Sequence, residues 1–144
     1  EAAEFLRKLG ADQIIDRSVL ATASPKPMHR GEWTAGIDTV GGETLANIIK
    51  GLEYSGSVAA VGLVGSTDLP LTVLPFILRD VNLLGVDSVE ISHQRRQDIW
   101  GRLASTWKLD CLESLAVDAS LDEVPALLGK LLSGQVQGRV LVTV

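Results

Sequence analysis

The sequence predicts an α/β fold in which helices cover a doubly wound parallel sheet. Three observations support this. Short strand-like segments alternate with segments of helical periodicity along the chain, the middle strands are apolar on both faces, and two of those strands end in glycines. The length of 144 residues corresponds to about one domain, and 46% of the residues are hydrophobic, which is enough for a core.

The first third of the chain contains a helix, a short strand and an irregular segment. A first helix is predicted by apolar residues at helical spacing: Phe5, Leu6 and Leu9. Gly10 is well placed to end it. "QIID" (Gln13–Asp16) is predicted to be a short strand. Residues 17–32 contain two prolines and mixed charge and are predicted to be a loop or a marginal helix.

The middle of the chain has the clearest pattern. "WTAGIDTV" (Trp33–Val40) is predicted to be a strand that stops at a glycine pair. A helix from about Glu43 to Tyr54 follows, with its apolar face formed by Leu45, Ile48, Ile49 and Leu52. "SVAAVG" (57–62) is the next predicted strand.

The C-terminal half alternates in the same way. A short helix is predicted over Leu74–Leu78 and a strand over Val81–Ser88. Ser92 caps the next predicted helix, which has an apolar stripe of three residues: Ile99, Leu103 and Trp107. A capping box at 120–123 begins another helix that runs through residue 132, and "GRVLVTV" is the last strand.

Composition argues against several classes of partner. The net charge is −5 and there is no basic block, so nucleic acid is not an expected ligand. The longest apolar stretches fall short of the roughly 20 residues that span a membrane. One cysteine, Cys111, allows no internal disulfide, and a cytoplasmic location is expected. "EAAEFLRKLG" has no initiating methionine and no signal peptide, which predicts a piece of a longer protein.

The candidate ligand site lies where two strands end, at "DTVGG" (Asp38–Gly42) and "AVGLVG" (Ala60–Gly65). Ligands of open α/β sheets bind beyond the carboxyl ends of the strands. Glycine there lets the backbone approach a ring or a ribose. The alternative is that these glycines only end the strands. A G-x-G-x-x-G fingerprint is absent, so a pyrophosphate loop would lie upstream of Glu1.

Other motifs carry less chemistry. Two histidines and one cysteine show no zinc-ligand spacing, and there is no G-x-S-x-G motif. Arg17 directly follows "QIID". A guanidinium beyond a strand end can pair with phosphate or stack on adenine. The alternative is an ordinary loop arginine.

The stretch "AGIDTVGGETLANIIKGLEYSGSVAAVGLVGSTDLPLTVLPFILRDVNLLGVDS" resembles the medium-chain dehydrogenase/reductase superfamily. "LPFILRDVNLLGVDS" and the ending "GQVQGRVLVTV" are similar to its zinc-independent quinone-oxidoreductase-like branch, of the acryloyl-CoA reductase type. The resemblance implies a Rossmann-like sheet of order 3-2-1-4-5-6 that lacks its first two strands. "QIID" would be strand 3 and would pair unusually. Residues 1–135 would be a partial NAD(P)-binding domain, and 136–144 a strand of the parent's catalytic domain.

The same resemblance implies function. The parent would transfer hydride from NADPH to an activated double bond, in an enoyl thioester or a quinone, without a metal. Two copies would pair through Val81–Ser88. Cofactor-binding residues would be Arg17, Gly41, Gly62, Leu63, Ile77, Ser88 and Gly134. Gly62 and Leu63 would lie along the nicotinamide, and Arg17 would favour the 2′-phosphate. Gly134 departs from the asparagine that this branch often carries.

No catalytic residue is expected in this chain, because the proton-donating groups of the family belong to the catalytic domain. The isolated chain is therefore expected to be inactive. The alternative from another functional class is a non-enzymatic α/β nucleotide-binding or dimerisation module. An S-adenosylmethionine methyltransferase would need an acidic residue after the second strand, a region that this sequence lacks.

Overall fold

The computed structural model describes residues 2–144. They form two compact units, one of Ile15–Ile91 and one of residues 2–14 together with Ser92–Val144. In chain order the elements are α1 (Ala2–Lys8), α2 (Ser18–Ala21), β1 (Trp33–Asp38), α3 (Gly42–Lys50), β2 (Leu52–Ala60), α4 (Leu74–Arg79), β3 (Asn82–Gly85), α5 (His93–Leu103), β4 (Ala116–Ser120), α6 (Val124–Leu132) and β5 (Arg139–Thr143).

The Ile15–Ile91 unit is built on a parallel sheet of order β1-β2-β3. This order matches the three adjacent strands that the sequence predicts. Asp38 lies beside Ala60, and Ala60 lies beside Gly85. The carboxyl ends of the three strands are therefore level at one edge of the sheet.

Helix α3 covers one face of this sheet. Its Leu45 and Ile49 pack with Leu52, Val58 and Val81 in the core. The predicted helix extended to Tyr54, and that part of the prediction is wrong. Helix α3 ends at Lys50, with Gly51 as its C-cap. A Cβ on Gly51 would lie 2.9 Å from the indole nitrogen of Trp33, and the next residue, Leu52, already pairs with Trp33 in β2.

The prediction of a strand at "QIID" is also wrong, since residues 13–16 form no strand. A strand needs a hydrogen-bonding neighbour, and none of the strands in the described part of the chain pairs with this segment. Residues 17–32 include the single helical turn α2, as one of the two alternatives predicted. This segment is fastened to α3, because Asn47 Nδ2 donates to the carbonyl oxygens of Leu20 and Thr22 at 2.8 Å each.

In the second unit, Gly10 follows α1 with φ +99°, which agrees with its predicted role at the helix end. The hydroxyl of Ser92 accepts a hydrogen bond from the backbone N–H of Arg95 and caps α5. This helix ends at Leu103, so the predicted stripe does not include Trp107. The guanidinium of Arg102 instead lies 5.1 Å from the ring centroid of Trp107.

The C-terminal part of this unit holds the predicted capping box. The backbone N–H of Ser120 donates to Glu123 Oε2 at 2.8 Å. A 3₁₀ turn over Leu121–Glu123 leads into α6, with Pro125 in its first turn. Strand β4 was not predicted, and it pairs in parallel with β5. Within residues 2–144 no helix has both the length and the apolar character needed to cross a membrane.

Candidate functional site

A concavity of about 490 Å³ lies beyond the carboxyl ends of β2 and β3. Its lining comes from the last residues of these two strands and the segments that follow them: Ala60, Val61, Gly62, Leu63, Gly85, Val86 and Asp87. Main-chain hydrogen bonds fix the position of both segments. Val61 N–H donates to the carbonyl of Asp38 at 2.8 Å, and Val86 N–H donates to the carbonyl of Ala60 at 3.0 Å. The strands thus continue their ladder for one residue before they diverge and open the concavity.

The loop of residues 61–66, which we call the glycine loop, presents apolar side chains to its surroundings. Leu63 is 63% exposed and Val64 is 90% exposed. Exposed large apolar groups beside a concavity are typical of a surface that covers a flat, partly apolar ligand. The concavity therefore has the position and the chemistry of a ligand site of an open α/β sheet.

The two glycine motifs pack against each other. Gly65 N–H donates to the carbonyl of Val40 at 2.8 Å, and Gly41 forms a parallel bridge with Ser66. A Cβ on Gly41 would collide with the carbonyl oxygen of Ser66, and a Cβ on Gly62 would lie 2.6 Å from the carbonyl oxygen of Thr39. Loop packing is thus one sufficient reason for glycine at both positions, independent of any ligand.

Asp38, the last residue of β1, lies beneath this contact. It is 2% exposed, and its Oδ2 accepts a hydrogen bond from Gly41 N–H at 2.8 Å. Its Oδ1 is buried without a hydrogen-bond partner among the described residues. The sequence predicted no role for this residue. The available signal was an aspartate three residues before a glycine that needs a fixed turn.

The other predicted site residues lie in different places. Ser88 follows Asp87 of the concavity, whereas Ile77, on α4, is 71% exposed and is not one of the lining residues. Arg17 is the N-cap residue of α2. Gly134 belongs to the second unit, with φ +69° and nothing within 4 Å of where its Cβ would be.

The carboxylate beside Arg17 is ordered locally. The Ser18 hydroxyl and the Ser18 backbone N–H both donate to Asp16 Oδ1, and these bonds hold the pKa of Asp16 below its usual value. The charge on Asp16 therefore stays next to the Arg17 guanidinium down to lower pH than for an ordinary aspartate.

Residues 1–105 match the family described as zinc-binding dehydrogenases. The chain belongs to the zinc-binding dehydrogenase family. It is 44% identical over 144 residues to the acrylyl-CoA reductase AcuI of Ruegeria pomeroyi, and the match covers 100% of this chain and 44% of that protein. The chain thus spans less than half the length of this relative.

Two solved structures of similar proteins support the same assignment. Escherichia coli K-12 YhdH with bound NADPH is 40% identical, with a TM-score of 0.85 over 96% of this chain and 42% of that one. Bacillus subtilis YhfP with bound NAD is also 40% identical, with a TM-score of 0.91 over 99% of this chain and 44% of that one. The resemblance to the medium-chain dehydrogenase/reductase superfamily and the predicted Rossmann-like fold are confirmed.

The name of the zinc-binding dehydrogenase family implies a zinc ion, and the residues described here do not fit one. Residues 2–144 contain no group of three or more histidine, cysteine, aspartate or glutamate side chains that could hold a metal. A zinc site needs three or four such ligands. A nicotinamide nucleotide, by contrast, fits the concavity, which combines exposed backbone at strand ends with the apolar side chain of Leu63.

Proposed function

We propose that this chain forms part of the cofactor domain of an NADPH-dependent oxidoreductase that reduces an activated double bond without zinc. The acceptor would be an acryloyl-CoA-like enoyl thioester or a quinone. The observation that carries the proposal is the concavity beyond β2 and β3, which lies where open α/β sheets bind nucleotides. The names of the relatives, an acrylyl-CoA reductase and an NADPH-binding protein, support the same chemistry.

In this proposal, Gly62 and Leu63 lie along the nicotinamide, where the loop backbone can hydrogen-bond the carboxamide. Ser88, which follows Asp87 of the concavity, and Ile77, which lies outside it, would contact the same end of the cofactor, as the family resemblance implies. Gly41 would contribute backbone at the neighbouring strand end. Bound NADPH supplies the hydride. The residues of this chain bind and orient the cofactor and keep water from one side of the ring, and no catalytic residue is assigned among them.

Arg17 and Gly134 complete the proposed contacts. The guanidinium of Arg17 would pair with the 2′-phosphate of NADPH, an anion that NADH lacks. Gly134 would lie near the cofactor, where it offers backbone only. Residues 1–135 would belong to the cofactor domain and 136–144 to the catalytic domain of a longer, cytoplasmic parent protein.

We also propose that two copies associate through residues 81–88. Strand β3 is an edge of its sheet in the described part of the chain, and its Leu84 is 52% exposed. A short apolar edge strand is a template for pairing with a second copy across a two-fold axis. Light scattering on the full-length protein should give twice the monomer mass, and Leu84→Lys should give the monomer. A monomeric wild-type protein would refute this part of the proposal.

The activity is tested on the full-length protein by following NADPH consumption with acryloyl-CoA, crotonyl-CoA and a set of quinones. We expect turnover with at least one acceptor and a lower KM for NADPH than for NADH. Turnover with none of these acceptors, despite tight NADPH binding, would favour the non-enzymatic nucleotide-binding module. Failure to bind either nucleotide would reject both functions.

A further inference from the structure

We propose that Asp38 is a positioning residue, whose buried carboxylate sets the orientation of the glycine loop without touching the cofactor. The proposal rests on the function proposed above and adds a residue that none of the sequence motifs predicted. The burial of the Asp38 side chain is energetically unfavourable. A carboxylate 2% exposed, with one oxygen unpartnered among the described residues, is a costly group to bury for stability alone.

The side chain of Asp38 is hydrogen-bonded directly to the turn before α3. Asp38 Oδ2 accepts the hydrogen bond from Gly41 N–H at 2.8 Å, and the carbonyl of Gly41 accepts from Leu45 N–H at 3.3 Å as α3 begins. Gly41 has φ +76° and ψ −166°, a conformation that is essentially confined to glycine. A residue with so much backbone freedom needs an external constraint, and the carboxylate supplies it.

The turn before α3 is itself bonded to the glycine loop. The carbonyls of Asp38 and Val40 accept hydrogen bonds from Val61 N–H and Gly65 N–H, both at 2.8 Å. The carbonyl of Ser66 lies directly against Gly41, where a Cβ would collide with it. The glycine loop is therefore held at its start by the end of β1 and at its end by the turn that Asp38 fixes. A rotation of Gly41 would displace Ser66 and the loop with it.

The glycine loop contributes Gly62 and Leu63 to the concavity proposed to hold the cofactor. A Cβ built on Gly41 would lie 3.4 Å from the Cα of Leu63, so the turn lies close to the residue proposed to face the cofactor and leaves no room for a side chain between them. Leu63 and Gly62 line the concavity, and Asp38 does not. Asp38 thus reaches the cofactor only through Gly41 and the loop.

The test measures the Kd for NADPH of the full-length protein by fluorescence titration, well below the unfolding temperature of every variant. Asp38→Ala removes the acceptor of the Gly41 bond and should raise Kd by about tenfold or more, the scale of one lost hydrogen bond to a charged group. Asp38→Asn keeps a carbonyl oxygen for Gly41 and should stay within about threefold of wild type. If Asp38→Ala does not fold, Asp38→Leu fills the same buried space and should show the same loss.

Glu123→Ala is the matched control, because it also removes a carboxylate that accepts a backbone N–H bond at 2.8 Å, from Ser120 in the second unit. Its Kd should not change. Wild-type affinity in a folded Asp38→Ala or Asp38→Leu protein would overturn the proposal, and so would an equal loss in Asp38→Asn. Absence of NADPH binding by the wild-type protein is a different result, since it rejects the proposed function itself.

Discussion

Replacing Gly41 with alanine should be among the most destabilising single-methyl changes in the Ile15–Ile91 unit. The backbone there has φ +76° and ψ −166°, which costs about 1–3 kcal/mol for a residue with a Cβ. The new methyl group would also collide with the carbonyl oxygen of Ser66, a backbone atom that cannot rotate away. Overpacking of this kind adds about 1–3 kcal/mol. We therefore expect Gly41→Ala to lower the free energy of unfolding by about 2–6 kcal/mol.

Two further glycines test the two contributions, backbone strain and steric collision, separately. Gly10 has φ +99° with nothing within 4 Å of its missing Cβ, so Gly10→Ala tests backbone strain without a collision. At Gly62 no positive φ is involved, and a Cβ would lie 2.6 Å from the carbonyl oxygen of Thr39, so Gly62→Ala tests the collision without that strain.

Urea unfolding of the full-length protein, followed by circular dichroism, gives the three values. Gly41→Ala should exceed each of the other two. A Gly41→Ala protein no less stable than Gly10→Ala would show that the two glycine motifs do not pack as described.

Three other results are expected. The guanidinium of Arg79 donates to the main-chain carbonyls of three residues: His29, Lys50 and Leu52. Arg79→Ala should therefore lower the free energy of unfolding by about 2–4 kcal/mol. Arg79→Lys should recover less than half of this loss, because a lysine ammonium cannot reach all three carbonyls together, and thermal unfolding measures both variants. The backbone N–H and the hydroxyl of Ser120 hold the pKa of Glu123 below its ordinary value of 4.5. The lowered pKa means that the cap stabilises the folded state above the ordinary pKa and is lost as the pH falls through the folded value, so Glu123→Gln should flatten the acid limb of the urea midpoint plotted against pH. Arg17→Ala should raise the KM for NADPH severalfold and leave that for NADH unchanged, and equal effects on both coenzymes would remove the proposed 2′-phosphate contact.

The sequence alone identified those elements whose causes lie within a turn or two of the chain. The apolar face that places Leu45 and Ile49 in the core repeats every three to four residues, so its periodicity is visible without the fold. The capping box of Ser120 and Glu123 is equally local. The order of β1, β2 and β3 was also predicted, because the chain resembles a family in which these strands are adjacent.

Tertiary structure decided what depends on partners distant in sequence. "QIID" has the composition of a strand and forms none, whereas Ala116–Ser120, which was not predicted to be a strand, becomes β4 because β5 lies beside it. The burial of Asp38 and the contact of Gly41 with Ser66 arise only when two strand ends are brought together. Helical periodicity and capping depend on residues that are neighbours in sequence. The residues that pair with a strand or bury a carboxylate are distant in sequence, and only the folded chain brings them together.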